Sequence, residues 1–428
     1  MTRMKDSGIE WIGEVPEEWG IKPIKHIFGA IGSGTTPDSS KVEYYDGNIN
    51  WLQSGDLYKK DYVYAVSKTI TDLGYRSSAS LRIYQAPFLA IAMYGASIGN
   101  LAISKIDACV NQAVAVLKGE ENIVRFAKLA LEISKTELIF AAQGGTQPNI
   151  NQVLIKNWVI PFPSEIEIKK IADFLDKKVA QLDEVKSLLE EQIKTLEDYR
   201  QSLIYETVTK GLDKTVPLKD SGVDWIGQIP EGWGVKSIKH IFDVIGSGTT
   251  PDSFKTEYYD GDINWLQSGD LYKTDYVDSV SKTITELGYL SSASLKIYEA
   301  PFLAIAMYGA SIGNLAISKI DACVNQAVVV LKGKEDTVRF VKFGLEISKS
   351  ELIFAAQGGT QPNINQVLIK NWLIPFPGEI EIREIADFLD KKTEQINQMI
   401  AIKKEQIENI NKQRQTLIYD YVTGKRRV

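Results

Sequence analysis

The chain has only two cysteines, two histidines and five methionines in 428 residues, and no apolar run of eighteen. Cys109 and Cys323 lie 214 residues apart, as do His26 and His240, so each pair is one position occurring twice. A disulfide framework and a cysteine-based zinc site are thereby excluded. A histidine-based metal site or a Ser/His triad lacks a second histidine in either half, and His26 reads as structural. The missing apolar run leaves no membrane-spanning helix, and Met1 to Glu10 has no signal-peptide core, so the expected compartment is the cytoplasm. Positive charge is also short: 49 Lys and Arg stand against 55 Asp and Glu, a net of -6.

What the chain has is repetition. Adding 214 to a residue number usually returns the same residue. Ala86–Val114 recurs unchanged as Ala300–Val328 and Glu137–Trp158 as Glu351–Trp372, with no insertion between them. Such a period is far too long for a solenoid and marks the duplication of a whole domain. Each copy ends in a heptad stretch. In the first, Ser164 to Gly211, the seam is Leu175, Leu182, Leu189, Leu196 and Leu203, widened by Val179, Val185, Ile193 and Tyr199. Ser164 and Glu167 form a capping box after Pro161-Phe-Pro163, and Gly211 is the stop. The second helix, Glu379 to Thr423, has Leu389, Ile396, Lys403, Ile410 and Leu417, with the Lys403 stem lying along the seam and its ammonium wet. At about 1.5 Å per residue each helix is on the order of 65 Å long. The expected fold is α+β: two globular mixed α/β domains, 1–163 and 212–377, and two helices, 164–211 and 378–428, paired as an antiparallel coiled coil about a pseudo-twofold axis.

Within a copy, Lys5 to Gly20 reads as an arm packing Trp11 and Trp19. Gly32 to Pro37 reads as a tight loop with free N–H groups, either a plain turn or a phosphate contact through Ser33, Thr35 and Thr36. No Lys-Ser or Lys-Thr follows it, so it is no P-loop. A strand at Ile49–Leu52, with Trp51 in the core, leads into a polar loop carrying Gln53, Ser54, Tyr58, Lys59 and Lys60. These suit base edges and phosphates, as the side chains of any exposed polar loop do. Phe88–Met93 and Leu101–Ile103 make a hairpin around Tyr94 to Gly99. A strand at Ala113–Leu117, one helix from Ile123 to Phe140, an amide-rich loop from Gln143 to Asn151 and a strand at Val159–Phe162 complete the copy.

Six motifs recur in order through both copies: Lys5-Asp-Ser-Gly-Ile-Glu-Trp-Ile-Gly, the Gly-Ser-Gly-Thr-Thr-Pro loop, Tyr94-Gly-Ala-Ser-Ile-Gly, Ala108-Cys-Val-Asn-Gln-Ala, Gly145-Thr-Gln-Pro-Asn-Ile and Ile171-Ala-Asp-Phe-Leu-Asp. Together they resemble the specificity subunits of type I restriction-modification enzymes. The chain departs from that family's frequent Glu-Gln at the helix start, having Glu167-Ile168 and Glu381-Ile382. The resemblance implies a subunit without chemistry of its own. Two target-recognition domains would each read half of a bipartite site in double-stranded DNA, and the helices would dock two modification (methyltransferase) subunits. These partners would bind S-adenosylmethionine, and restriction subunits would bind ATP and Mg. Consistently, the chain has no Asn-Pro-Pro-aromatic or Asp-Pro-Pro-aromatic methylase motif and no glycine-rich cofactor fingerprint.

The candidate DNA-contacting residues are Ser33, Thr35, Thr36, Gln53, Ser54, Tyr58, Lys59, Lys60, Arg76, Tyr94, Gln143, Thr146, Gln147 and Asn149. Their counterparts are Ser247, Thr249, Thr250, Gln267, Ser268, Tyr272, Lys273, Tyr308, Gln357, Thr360, Gln361 and Asn363. Lys60 and Arg76 have no counterpart, because Thr274 and Leu290 stand there, and Tyr64 becomes Asp278. Residues 1–163 carry 16 basic and 16 acidic side chains and residues 211–377 carry 15 and 19. A free-standing DNA binder is usually basic, so most backbone grip is expected from the partners. Two other readings remain open here: a self-sufficient nuclease or methylase, and a coiled-coil scaffold that never touches DNA.

Overall fold

The computed structural model describes residues 3–142, 148–356 and 363–428. The chain divides into two compact units, Met1–Leu189 with Lys404–Val428, and Glu190–Lys403. The division runs through both long helices and so differs from the four segments expected from the sequence.

In the first unit the run Phe-Leu-Ala-Ile-Ala forms the strand Phe88–Ala92, buried at every residue. It sits at the centre of a five-stranded sheet ordered Ala30–Gly32, Val114–Lys118, Phe88–Ala92, Leu101–Ser104, Tyr62–Val63. Successive side chains point to opposite faces. Leu89, Ile91, Ile103, Ala115 and Leu117 enter one core with the helix Glu121–Ile133. Phe88, Ala90, Ala102, Val114 and Val116 enter another with Leu52, Leu57 and Val63. Burial on both faces explains why the strands read as unbroken apolar runs rather than alternating ones. The second core is shared with the end of the strand Tyr45–Leu52, which pairs parallel with Cys109–Val110 and antiparallel with Thr69–Ile70.

The opening arm is a hairpin, Met4–Asp6 against Glu14–Pro16, that buries Ile12, Val15 and Trp19. Three local expectations are corrected. The helix expected from Ile123 to Phe140 is two helices, Glu121–Ile133 and Lys135–Ala141. Between them the Ser134 hydroxyl donates to the Ala130 carbonyl at 2.8 Å and accepts from Trp158 Nε1 at 3.0 Å, a side chain competing with the ladder. The Gly32–Pro37 segment is no tight loop: it runs irregularly past Cys109–Val110, and a Cβ on Gly34 would lie 1.8 Å from the Val110 carbonyl oxygen. Only half of the capping box forms. Ser164 Oγ accepts from Glu167 N at 3.4 Å, but the Glu167 carboxylate is drawn away by Trp19 Nε1 at 3.0 Å and by Arg427.

The long helices are Glu165–Lys210 and Glu379–Val422. Gly211 at φ +72° ends the first, a conformation that costs little without a Cβ. Each unit is closed by one piece of each helix, running antiparallel. In the first unit Ile168, Ile171, Leu175 and Val179 share a core with Ile418 and Val422; the rings of Phe174 and Tyr421 lie 4.6 Å apart, and Asp183 faces Arg414 at 3.4 Å. In the second unit Ile204 and Val208 join Ile382, Ile385 and Leu389, and Lys403 Nζ donates to Gln192 Oε1 at 2.6 Å.

Seam burial is uneven. Leu175, Leu389 and Ile396 are buried, whereas Leu182, Leu189, Leu196, Leu203, Ile410 and Leu417 are half-buried. Val185 and Tyr199 are exposed, against expectation. Two helices alone bury a narrow stripe, and the wider face is covered only where a globular domain packs as a third layer. That layer buries Ile204 and Ile418, one position beyond the heptad leucines. The second unit repeats the sheet in the same order, Val244–Ser247, Val328–Lys332, Phe302–Ala306, Leu315–Ser318, Tyr276–Val277.

Candidate nucleic-acid interface

The parallel pair Tyr45–Leu52 and Cys109–Val110 places Leu52 opposite Val110, so both strands deliver their next residues to one edge. Gln53 leaves the first strand, and Asn111 and Gln112 leave the second, with Asn111 N donating to the Leu52 carbonyl at 3.1 Å. Gln53 starts the 3-10 turn Ser54–Leu57. The buried Asp56 carboxylate holds that turn, accepting from Gln53 N and from Ser67 N, both at 2.9 Å. The turn packs against a second one, Gly95–Ser97, that follows Tyr94. Beside it Ile150 N donates to the Met93 carbonyl at 2.8 Å, bringing the exposed Asn149 to the same edge. From the other side the Gly34–Thr36 segment arrives, with Thr36 Oγ1 donating to Gln112 Oε1 at 2.6 Å.

Ser33, Thr35, Thr36, Gln53, Ser54, Tyr94 and Asn149 therefore converge on one polar edge. Ser33 and Thr35 are half-buried and lend backbone carbonyls to the frame: Tyr84 donates to Ser33 O at 3.2 Å and Trp51 Nε1 to Thr35 O at 3.3 Å. Tyr94 is half-buried against the main core. Tyr58 and Lys59 project from the end of the turn. Lys59 adopts φ +53°, and its ammonium lies 5.2 Å from the Tyr58 ring centroid, a cation–π pair left in solvent. Lys60 follows, exposed, whereas Thr274 in the second unit folds its hydroxyl onto the Tyr276 carbonyl at 2.5 Å. Arg76 ends the short helix Asp72–Arg76, which packs on Tyr45–Leu52 and Thr69–Ile70; Leu290 is exposed in its place. Gln143, Thr146 and Gln147, with Gln357, Thr360 and Gln361, lie outside the described residues.

In the second unit Ser247, Thr249, Thr250, Gln267, Ser268, Tyr272, Lys273, Tyr308 and Asn363 occupy matching places. Thr250 donates to Gln326 at 2.5 Å, and Lys273 repeats the positive φ at +54°. Gln112 and Gln326 were not among the residues singled out by sequence; the signal was the Asn-Gln pair following an apolar strand inside a motif already noted. No group of three His, Cys, Asp or Glu among the described residues is placed to hold a metal ion, and no described helix is long and apolar enough to cross a membrane. Burial pushes the Cys109 and Cys323 thiols up to about 11, which keeps them protonated and unreactive near neutral pH.

Each domain is fastened to its helix by charge. Arg125 donates to Asp173 and Asp176, both at 2.8 Å, and Arg339 to Asp387 and Asp390, both at 2.8 Å. Tyr62, whose hydroxyl approaches Asp176 at 3.3 Å, is pushed up to about 12 by burial and by that carboxylate.

A polar edge framed by aromatic side chains occurs twice, at identical sequence intervals, and marks a duplicated module. The family described as "Type I restriction modification DNA specificity domain" matches residues 16–196 and again 230–410. Among curated proteins, the MjaIX specificity subunit of a type I restriction enzyme from Methanocaldococcus jannaschii is 26% identical, over 97% of this chain and 95% of its own length. The MjaVIII specificity subunit of the same organism is also 26% identical, over 97% and 94%. Among solved structures, a chain of a type I R-M system studied for complex assembly and conformational transition has the same fold, with TM-score 0.73 and 16% identity over 95% of this chain and 98% of that one. The HsdS subunit from Thermoanaerobacter tengcongensis matches at TM-score 0.52 and 16% identity, over 96% and 98%. The chain belongs to the type I restriction-modification specificity family and is a non-catalytic specificity subunit with two copies of the DNA specificity domain.

Proposed function

We propose that this subunit reads an interrupted palindrome in double-stranded DNA, one half-site through residues 1–163 and the other through 212–377. The helices, 164–211 and 378–428, dock two modification subunits, and restriction subunits join that assembly. S-adenosylmethionine, ATP and Mg belong to those partners, which act in the cytoplasm. The observation that carries this reading is the identity of the two polar edges. Gln53, Ser54, Tyr58, Lys59, Tyr94 and Asn149 recur as Gln267, Ser268, Tyr272, Lys273, Tyr308 and Asn363, and the turns that hold them recur with the same hydrogen bonds. Identical readers select identical bases, and when they face opposite strands the half-sites become inverted repeats. The near-zero and negative charges of the two domains support phosphate grip by the partners. Lys60, Tyr64 and Arg76 against Thr274, Asp278 and Leu290 are the places where the half-sites can differ.

The test is single-molecule methylome sequencing of cells expressing the subunit with its modification partners. The expected outcome is one methylated adenine per strand within an interrupted palindrome, mismatched at one position at most. Two unrelated half-sites would refute the reading.

A further inference from the structure

Gln112 has an unusual setting for an exposed glutamine. It follows Cys109–Val110, whose Val110 carbonyl packs on Gly34 so closely that no Cβ could stand there. That contact brings Thr36 beside the amide, where its hydroxyl donates to Oε1 at 2.6 Å, while Ser33 Oγ reaches the Gln112 backbone carbonyl at 3.5 Å. The segment is fixed from below by three aromatic donors: Tyr84 to Ser33 O, Trp51 to Thr35 O, and Tyr45 to Pro37 O at 2.7 Å. A rigid buried frame therefore orients one exposed amide plane. The same frame recurs in the second unit, with Gly248 against Val324, Thr250 on Gln326, Tyr298 on Ser247 O at 2.9 Å and Tyr259 on Pro251 O at 2.7 Å.

The orientation decides the chemistry. A glutamine that reads adenine needs its amide oxygen as acceptor and its nitrogen as donor at once. Here the Thr36 hydroxyl takes one of the two lone pairs of that oxygen. The Nε2 hydrogens of Gln112, and the backbone N–H groups of Thr35 and Thr36, donate to no group among the described residues. Four unengaged hydrogens against one remaining acceptor lone pair suit a phosphate oxygen, which accepts only, better than the mixed edge of a base.

We propose that Gln112 with Thr36, and Gln326 with Thr250, each seat one phosphate of the DNA backbone, fixing the register of its half-site without contributing to base choice. This rests on the DNA-reading function proposed above and names the part of each polar edge that does not read.

Gln112→Glu is the discriminating variant, because a carboxylate still accepts from Thr36 but repels phosphate. The complete assembly with its modification subunits is titrated against duplexes carrying its methylome-defined site, in which single phosphates of one half-site are replaced by uncharged methylphosphonates. The expected result is a loss of affinity of at least about tenfold for Gln112→Glu, the worth of one hydrogen bond to a charged group. The loss is the same for every permitted base sequence and disappears when one particular phosphate is neutralised. Gln326→Glu gives the same pattern at the symmetry-related phosphate of the other half-site. Unchanged affinity, an altered methylome motif, or a loss that no methylphosphonate relieves would each overturn the proposal, the last assigning Gln112 a merely structural role. A wild-type assembly that modifies no DNA would instead defeat the reading on which the proposal rests.

Discussion

The charged cluster beneath each domain differs by one carboxylate between the units, and that difference yields a quantitative expectation. In the first unit Arg414 pairs with Glu132 and lies 3.4 Å from Asp183, while Lys128 pairs with Asp61 and Glu132. Three carboxylates meet two cations. In the second unit Arg200, Lys342, Asp275 and Glu346 repeat the arrangement, but Asn397 stands where Asp183 would be and donates to Asp275 at 3.5 Å. The arginines are only 16% and 14% exposed. Removing Arg414 leaves Glu132 with Lys128 alone, and removing Arg200 leaves Glu346 with Lys342 alone and takes from Asp275 a cation 3.9 Å away. Arg414→Met also strips Asp183 of its cation. Coulomb attraction at 3.4 Å is ~5 kcal/mol at an effective dielectric of about 20 and ~1.2 kcal/mol in water. Asp183 is 44% exposed, so the watery limit applies. Because Arg200 has its own second carboxylate, Asp275 at 3.9 Å, the two Met variants should cost their units about equally, whereas Asp183→Asn added to Arg414→Met should recover about 1 kcal/mol. Native-state hydrogen exchange of the helices Glu121–Ile133 and Glu335–Ile347 reads each unit separately, 1 kcal/mol appearing as roughly a fivefold change in opening. No recovery with Asp183→Asn would refute the reasoning.

Other expectations follow from single features. Burial raises the Asp183 carboxyl above its ordinary 3.8 against the opposing pull of Arg414, so its ionisation disfavours the fold. The first unit should lose part of its stability as pH rises from 3.8 through the raised value, and Asp183→Asn should flatten that stretch of its denaturation profile. Asp275 moves the other way: burial opposes ionisation, but Lys342 and Arg200 outweigh it, so its contribution is present above 3.8 and is lost as pH falls through the depressed value. A fragment of residues 1–214 lacks the Ile418 and Val422 that close its domain but carries the equivalent Ile204 and Val208, so two copies should exchange these ends and sediment as a dimer at micromolar concentration; a monomer would contradict the pairing. Cys109 and Cys323 should resist a thiol reagent at pH 8 until denaturant unfolds their units, and rapid labelling of the native chain would contradict their burial.

The duplication, the helix limits and the central strands were legible because each rests on a repeated local signal: an unbroken 214-residue offset, a heptad, a run of five apolar residues. Ser134 shows where local signals fail. Its neighbours favour helix, and only the distant Trp158, which donates to the hydroxyl, reveals why the helix divides there. Val185 and Tyr199 were read as seam from spacing alone, yet burial depends on whether a third layer covers the helix pair at that height. By their glycines, hydroxyls and amides the sequence pointed to loops that the fold brings to one polar edge. It did not point to Gln112, since the pairing that aims its amide joins residues 76 positions apart.

Both units close in the same way, through a tyrosine near a helix end whose hydroxyl donates at 3.1 Å to the opening arm: Tyr205 to Ile226 O and Tyr419 to Ile12 O. For the second unit all of this lies within Glu190–Lys403, but the first needs Lys404–Val428 as well as its own start. On a ribosome adding about 5–20 residues per second, the earlier of these two units to emerge is thus the later completed, its core without Ile418 and Val422 for roughly 10 to 40 s while 214 further residues emerge. Any truncated product would expose that apolar surface, making it a natural handle for chaperones and proteases to distinguish finished subunits from interrupted ones.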